Sequence, residues 1–197
     1  MGRAGEESRV SFDAQCDLAA VVYGAADDPD RLISGFAADL RRSGRRPVGV
    51  VQLGRSCRAE NPRLGVVVLP DGEVVRLAPH EATFAAGCRL DPDRLAGLAC
   101  RLAAAIEDGA DLVIINRFGR SEAEGKGLID LIPQALAADI PVLIAVPERR
   151  FAAWIRFSEG MNVRLACRRD ALDRWWLSVT GLARRRGGVD TFCEFAK

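Results

Sequence analysis

The chain has 197 residues, 49% of them hydrophobic and 28% charged, with 28 Lys and Arg against 27 Asp and Glu for a formal charge of +1. That length fits one large domain, and the composition is that of an ordinary globular protein, far from disordered or collagen-like chains. The balanced charge offers no global positive field, so nucleic acid is not an expected partner. No apolar stretch approaches the ~20 residues that span a bilayer, and the polar residues 1–15 lack the apolar centre of a secretory signal, which predicts a cytoplasmic chain with no membrane partner.

Residues 1–16 read as a flexible tail, 17–183 as a single α/β domain and 184–197 as a second tail. The first element is the apolar run 18–23 (LAAVVY), a buried strand that feeds a turn at Gly24. Asp28 can cap the helix that follows and Pro29 suits its first position. Leu32, Ile33, Phe36, Ala37 and Leu40 form its apolar face before Gly44 ends it. Residues 48–53 (VGVVQL) make a second strand and complete a βαβ unit. Two β-rich runs between residues 63 and 77 flank Pro70-Asp71-Gly72, which predicts an antiparallel hairpin.

Residues 78–90 have weak periodicity and read as a loop containing His80, the chain's single histidine. Asp91 and Pro92 repeat the cap-and-proline signal, and Leu95, Leu98, Leu102, Ala105 and Ile106 mark an amphipathic helix that stops at Gly109. Strand 111–116 (DLVIIN) opens into a polar loop, 117–127. A helix over 127–138, shortened or kinked by Pro133, leads to strand 141–146 (PVLIAV). Helix 151–157, strand 162–167 and helix 170–183, carrying Trp175 and Trp176, complete the pattern. The fold class is therefore α/β, a doubly wound and mainly parallel sheet with an antiparallel hairpin insertion. In such sheets ligands sit beyond the C-terminal ends of the strands.

That rule directs attention to the loops after Tyr23 and Asn116. The first, residues 24–28 (GAADD), lies where a phosphate-binding loop would follow the first strand. The chain nevertheless has no GxxxxGK[ST], and Asp27 and Asp28 would repel a polyphosphate. These aspartates read as helix-start residues. The second loop carries Asn116, Arg117, Gly119, Arg120, Glu122, Glu124 and Lys126. Its arginines could grip an oxyanion and a glutamate could orient water or hold a cation; the alternative is a solvated, salt-bridged loop.

Six cysteines, at 16, 57, 88, 100, 167 and 193, include no CxxC pair and no Cys/His cluster, so a closed metal site is not expected and free thiols are. Cys88 precedes Arg89 and a capped helix, a setting that can lower a thiol pKa; an incidental structural thiol is the competing reading. Both residues are expected at the rim of one pocket with the loop 117–126. His80 reads as a surface residue, and no GxSxG elbow follows a strand.

The pieces VVYGAADDPDRLISGFAADLRRSG, VGVVQL, GCRLDPDRL, DLVIINRFGRSEAEGKGL and IPVLIAVP resemble a family of uncharacterised bacterial proteins often encoded beside molybdate-transport genes. That family is distantly similar to THEP-type P-loop nucleoside triphosphatases. The likeness implies a P-loop NTPase-like fold over residues 18–182. Asn116 then stands where those enzymes carry an acidic Walker B residue, and the first loop lacks their lysine and Ser/Thr. No reaction or cofactor follows from it.

Three functions compete at this level. The first is a non-hydrolysing anion- or nucleotide-binding accessory protein linked to molybdenum metabolism. The second is a divergent nucleoside triphosphatase or transferase using Arg117, Arg120, Glu122 and Glu124, and the third is an interaction module presenting Trp154, Trp175 and Trp176. Assembly into a homo-oligomer is left open.

Overall fold

Among the described residues, seven short strands hydrogen-bond into one sheet with the strand order β4-β3-β2-β5-β6-β1-β7. The strands are β1 (Leu18–Tyr23), β2 (Pro47–Leu53), β3 (Gly65–Leu69), β4 (Glu73–Arg76), β5 (Leu112–Arg117), β6 (Val142–Pro147) and β7 (Val163–Ala166). The computed structural model describes residues 16–53, 65–77 and 91–186. β2, β5, β6, β1 and β7 run parallel, and the hairpin β3–β4 joins antiparallel on the outer side of β2. The Pro-Asp-Gly signal marks that hairpin's turn, with Gly72 at a φ of 80° and its N–H donating to the Val68 carbonyl at 2.8 Å.

Because side chains alternate along a strand, the parallel strands feed two separate cores. On one face, Ala20, Val113 and Ile144 pack under α2 (Pro92–Glu107), α4 (Leu131–Ala137) and α5 (Phe151–Phe157). On the other, Val21, Ile114 and Leu143 pack under α1 (Pro29–Arg42) and α6 (Arg169–Arg186). This is the doubly wound arrangement expected from the alternation of strands and helices. Both predicted caps are present: the Asp28 carboxylate accepts from the Arg31 N–H, and the Asp91 carboxylate from the N–H groups of Asp93 and Arg94.

Several details differ from the sequence reading. β1 and β2 flank α1 in the chain but are not neighbours in the sheet, because β6 and β5 lie between them. The loop after β5 contains a short helix, α3 (Arg120–Ala123). α4 starts only at Leu131, which leaves Pro133 in its first turn, where a missing N–H costs no intrahelical bond. α6 continues to Arg186, so residues 184–186 belong to the helix and not to a tail. Cys16, also expected in a tail, is held by the domain: its carbonyl accepts from Trp175 Nε1 at 3.0 Å.

Trp154 and Trp175 are buried within the chain's own core, at 0% and 1% exposure, and Trp176 sets its ring edge-on to Phe36. The first two therefore present no exposed surface to a partner. No helix among the described residues is long and apolar enough to cross a membrane.

β2 passes β5 at Gly49, which pairs with Ile114 and has a φ of 134°. A Cβ there would lie 2.0 Å from the Ile114 carbonyl oxygen, and that oxygen belongs to the backbone of a central strand and cannot move aside. Gly49→Ala is expected to cost more than about 4 kcal/mol in urea unfolding. Gly35→Ala, in the open middle of α1, should gain about 0.5–1 kcal/mol. An unchanged urea midpoint for Gly49→Ala would refute the close approach.

Candidate functional site

The C-terminal ends of β1, β5 and β6 open on two clefts that share a wall made by Tyr23, Arg117 and Arg149. Arg117 is the centre of that wall. Its guanidinium grips the buried Asp30 carboxylate of α1 through two bonds, Nε at 3.2 Å and Nη2 at 2.5 Å, and lies 5.4 Å from the Tyr23 ring centroid. Burial pushes the Asp30 carboxyl above its ordinary range, and the hydrogen bond and charge of Arg117 draw it part of the way back.

On the α1 side lies the loop 24–28, at the phosphate-loop position. Both of its aspartates are already bonded to backbone N–H groups of the chain. The Asp27 carboxylate accepts from the Gly24 N–H at 2.7 Å, and Asp28 takes the Arg31 N–H at 3.1 Å. A Cβ on Gly24 would meet carboxylate oxygens of Asp27 and Glu148, each at 3.7 Å. This cleft is lined by four carboxylates (Asp27, Asp28, Asp30, Glu148) against two guanidiniums (Arg117, Arg149). The field is felt nearby: burial, then the charges of Asp27, Asp28 and Asp30, push the Cys167 thiol up to about 11.

The second cleft, about 400 Å³, opens on the other side of Arg117 and reverses the charge balance. Arg117, Arg120, Arg149 and Arg150 line it against a single carboxylate, Glu122. β5 and β6 lose register between Ile115 and Arg117, so Asn116 is the extra residue of a bulge, a device that re-aims side chains at a strand end. Asn116 Nδ2 donates to Gln52 Oε1 on β2 at 3.1 Å, which joins the two amides. Among the described residues neither Arg149 nor Arg150 makes an ion pair or hydrogen bond.

The residues expected from sequence divide by position. Asn116, Arg117, Gly119, Arg120 and Glu122 line the second cleft. Glu122 turns back to accept from the Gly119 N–H at 2.9 Å, and its other oxygen stands 2.7 Å from where a Cβ on Gly127 would be. It thereby lies across the loop, bonded at Gly119 and close against Gly127. Burial holds its carboxyl above the usual range. Glu124 and Lys126 do not line the cleft. With Arg120 they form an exposed ladder, Arg120 Nε to Glu124 at 3.0 Å and Lys126 Nζ to Glu124 at 3.5 Å, and these cations hold the Glu124 carboxyl below its ordinary range. Cys88, Arg89 and His80 lie outside the described residues.

Sequence reasoning missed Tyr23, Asp30, Gln52, Arg149 and Arg150. The last two follow the end of β6, so the rule that picked the loops after β1 and β5 would have picked them too. Among the described residues no group of three or more His, Cys, Asp or Glu could hold a metal ion.

Arg117→Met would leave Asp30 buried without its counter-charge. We expect a loss of about 2–3 kcal/mol at pH 7, below the usual range for buried pairs because the arginine is part exposed. The variant's Asp30 pKa should rise further, and a carboxyl raised above its unfolded value of about 3.9 favours the folded state at low pH and loses that contribution as pH climbs through the folded value. The deficit should therefore shrink between pH 7 and pH 5 in denaturant melts; a deficit constant across that range would contradict the pair.

Comparison with known proteins bears on this arrangement at three levels. The molybdenum import ATP-binding protein ModC 2 of Bradyrhizobium diazoefficiens is 37% identical over 172 residues, which cover 85% of this chain and 19% of that protein. The present chain thus spans about a fifth of that relative's length. The crystal structure of THEP1 from the hyperthermophile Aquifex aeolicus matches with a TM-score of 0.59 at 14% identity, over 83% of this chain and 97% of that one. The solution structure of a human cancer-related nucleoside triphosphatase matches with a TM-score of 0.54 at 15% identity, over 88% and 99%. These two likenesses show a P-loop NTPase-like fold and nothing of the chemistry. The model of the family described as Protein of unknown function (DUF2478) matches residues 18–175, and the chain belongs to that family.

Proposed function

We propose that this chain is a non-hydrolysing anion- or nucleotide-binding accessory protein that serves molybdenum metabolism and takes its ligand in the second cleft, beyond the C-terminal ends of β5 and β6. The observation that carries the reading is the division of charge about Arg117. At the phosphate-loop position, Asp27 occupies the Gly24 N–H and four carboxylates line the cleft. A triphosphate would have to displace that hydrogen bond and face repulsion, with no lysine in residues 24–28 to offset it. Asn116, at the end of β5, cannot supply the carboxylate that would hold magnesium, which also argues against turnover. Across the wall, Arg149 and Arg150 offer guanidiniums that make no ion pair or hydrogen bond among the described residues, with Glu122 the one carboxylate on that cleft. The degenerate loop and the working cleft are thus two sides of one design.

The molybdenum link rests on the Bradyrhizobium relative, a longer protein named for molybdenum import and ATP binding that contains a region like this chain.

Purified protein with magnesium and ATP should release phosphate no faster than a protein-free blank. In thermal melts, an anion held at a hundredfold its Kd should stabilise by about 2.7 kcal/mol, a rise of roughly 5–10 °C for a chain of this size. The double variant Arg149→Ala/Arg150→Ala should lose most of that rise. Sustained ATP turnover, or an anion-induced rise intact in the double variant, would overturn the reading.

A further inference from the structure

Resting on the reading that the β5–β6 cleft binds an anion, we infer that its ligand is a planar heterocycle carrying one phosphate. The Gln52–Asn116 amide pair reads the ring edge, and Arg149 and Arg150 grip the phosphate.

Size is the first argument. At about 400 Å³ the cleft falls within the range of sites for organic ligands and is several times larger than a bare tetrahedral oxyanion. Its walls between the polar groups are apolar, among them Val50, Val66, Ile115 and Leu128. These side chains are themselves buried, so they give the cleft an apolar floor that suits the face of a ring and offers a bare oxyanion no hydrogen bond.

The amide pair is the second. Among the described residues Gln52 is one of few buried polar residues, at 7% exposure, and the only hydrogen bond of its side chain is the one its Oε1 accepts from Asn116. That bond fixes both amide planes and leaves Gln52 Nε2 as donor and Asn116 Oδ1 as acceptor, neither with a partner among the described residues. A neighbouring donor and acceptor, held by each other on two strands, match the adjacent N–H and C=O or ring nitrogen of a heterocycle edge. A bare oxyanion has no use for the acceptor.

Charge sets the number of phosphates. Arg117 is engaged by Asp30 and Arg120 by Glu124, so of the arginines on this cleft Arg149 and Arg150 are the two without an ion pair or hydrogen bond among the described residues. Two guanidiniums balance one phosphate dianion. A longer phosphate chain would run toward Glu122 on the same cleft or across the wall toward Asp30.

Isothermal titration of the full chain against AMP, GMP and flavin mononucleotide, with adenosine, guanosine, inorganic phosphate and molybdate alongside, tests this directly. At least one phosphorylated heterocycle should bind ten times or more tightly than either inorganic anion. Arg149→Ala/Arg150→Ala should weaken it at least tenfold, to the level of the unphosphorylated form. Gln52→Glu and Asn116→Asp, each shown to be folded by its melt, should change which ring is preferred: the first puts an acceptor where Gln52 Nε2 donates, and the second removes the Nδ2 donor that fixes the Gln52 amide plane. If phosphate or molybdate binds as tightly as every heterocycle, the inference falls while the anion-binding reading stands. If no compound binds, both fall. An unchanged ring preference in both amide variants would also overturn the proposed edge reading.

Discussion

The bidentate pair between Arg117 and Asp30 decides what this end of the sheet can be. It fastens the first turn of α1 to the last residue of β5, two elements 87 positions apart in the chain, and it does so with a buried carboxylate that would be costly to leave alone. Because the guanidinium also lies against Tyr23 at the end of β1, three of the elements that converge here are held by one side chain. The same side chain forms the partition between a cleft dominated by carboxylates and one dominated by guanidiniums. If Arg117 faced an incoming phosphate instead, Asp30 would lose its partner. The fold is thus committed to one arrangement of charge.

That commitment explains why a fold of this type need not carry its usual chemistry. Parallel sheets place strand ends and helix starts together whatever their residues are, and the local chemistry then decides what can bind. Here the helix start after β1 is satisfied from within: Asp28 caps α1, and Asp27 folds back on Gly24. An N–H that already holds a carboxylate is a poor receptor for phosphate. The positive surface moves instead to the turn after β6, where Arg149 and Arg150 emerge beside the bulge at Asn116.

Much of the fold could be read from residue order because its signals are local. Asp28-Pro29 and Asp91-Pro92 mark helix starts by chemistry that acts within three residues, and Pro70-Asp71-Gly72 marks a hairpin in the same way. Strand order could not be read, since nothing near β1 indicates that β6 and β5 will separate it from β2. The site was half legible. The polar loop after Asn116 stood out by composition, yet composition does not distinguish Glu122, turned inward onto Gly119, from Glu124, exposed between Arg120 and Lys126. Gln52 looked like one more residue of an apolar strand, and only the sheet brings it to Asn116, 64 positions away. Asp28 caps the helix as its local signal indicates, whereas Asp27 does not serve the helix start, and its bond back to Gly24 is a matter of turn geometry that sequence does not display.

The central claim is that the chain's own carboxylate, Asp27, holds the Gly24 N–H at the phosphate-loop position, and the Gly24 amide reports on it. In a ¹⁵N–¹H spectrum of the full chain that proton should resonate downfield, as expected of an N–H bonded to a carboxylate. It should stay in place as ATP and magnesium are added to millimolar concentration, and move upfield in Asp27→Ala. A Gly24 signal that shifts progressively with ATP in the unmodified protein would show that phosphate reaches the loop, and would contradict the account.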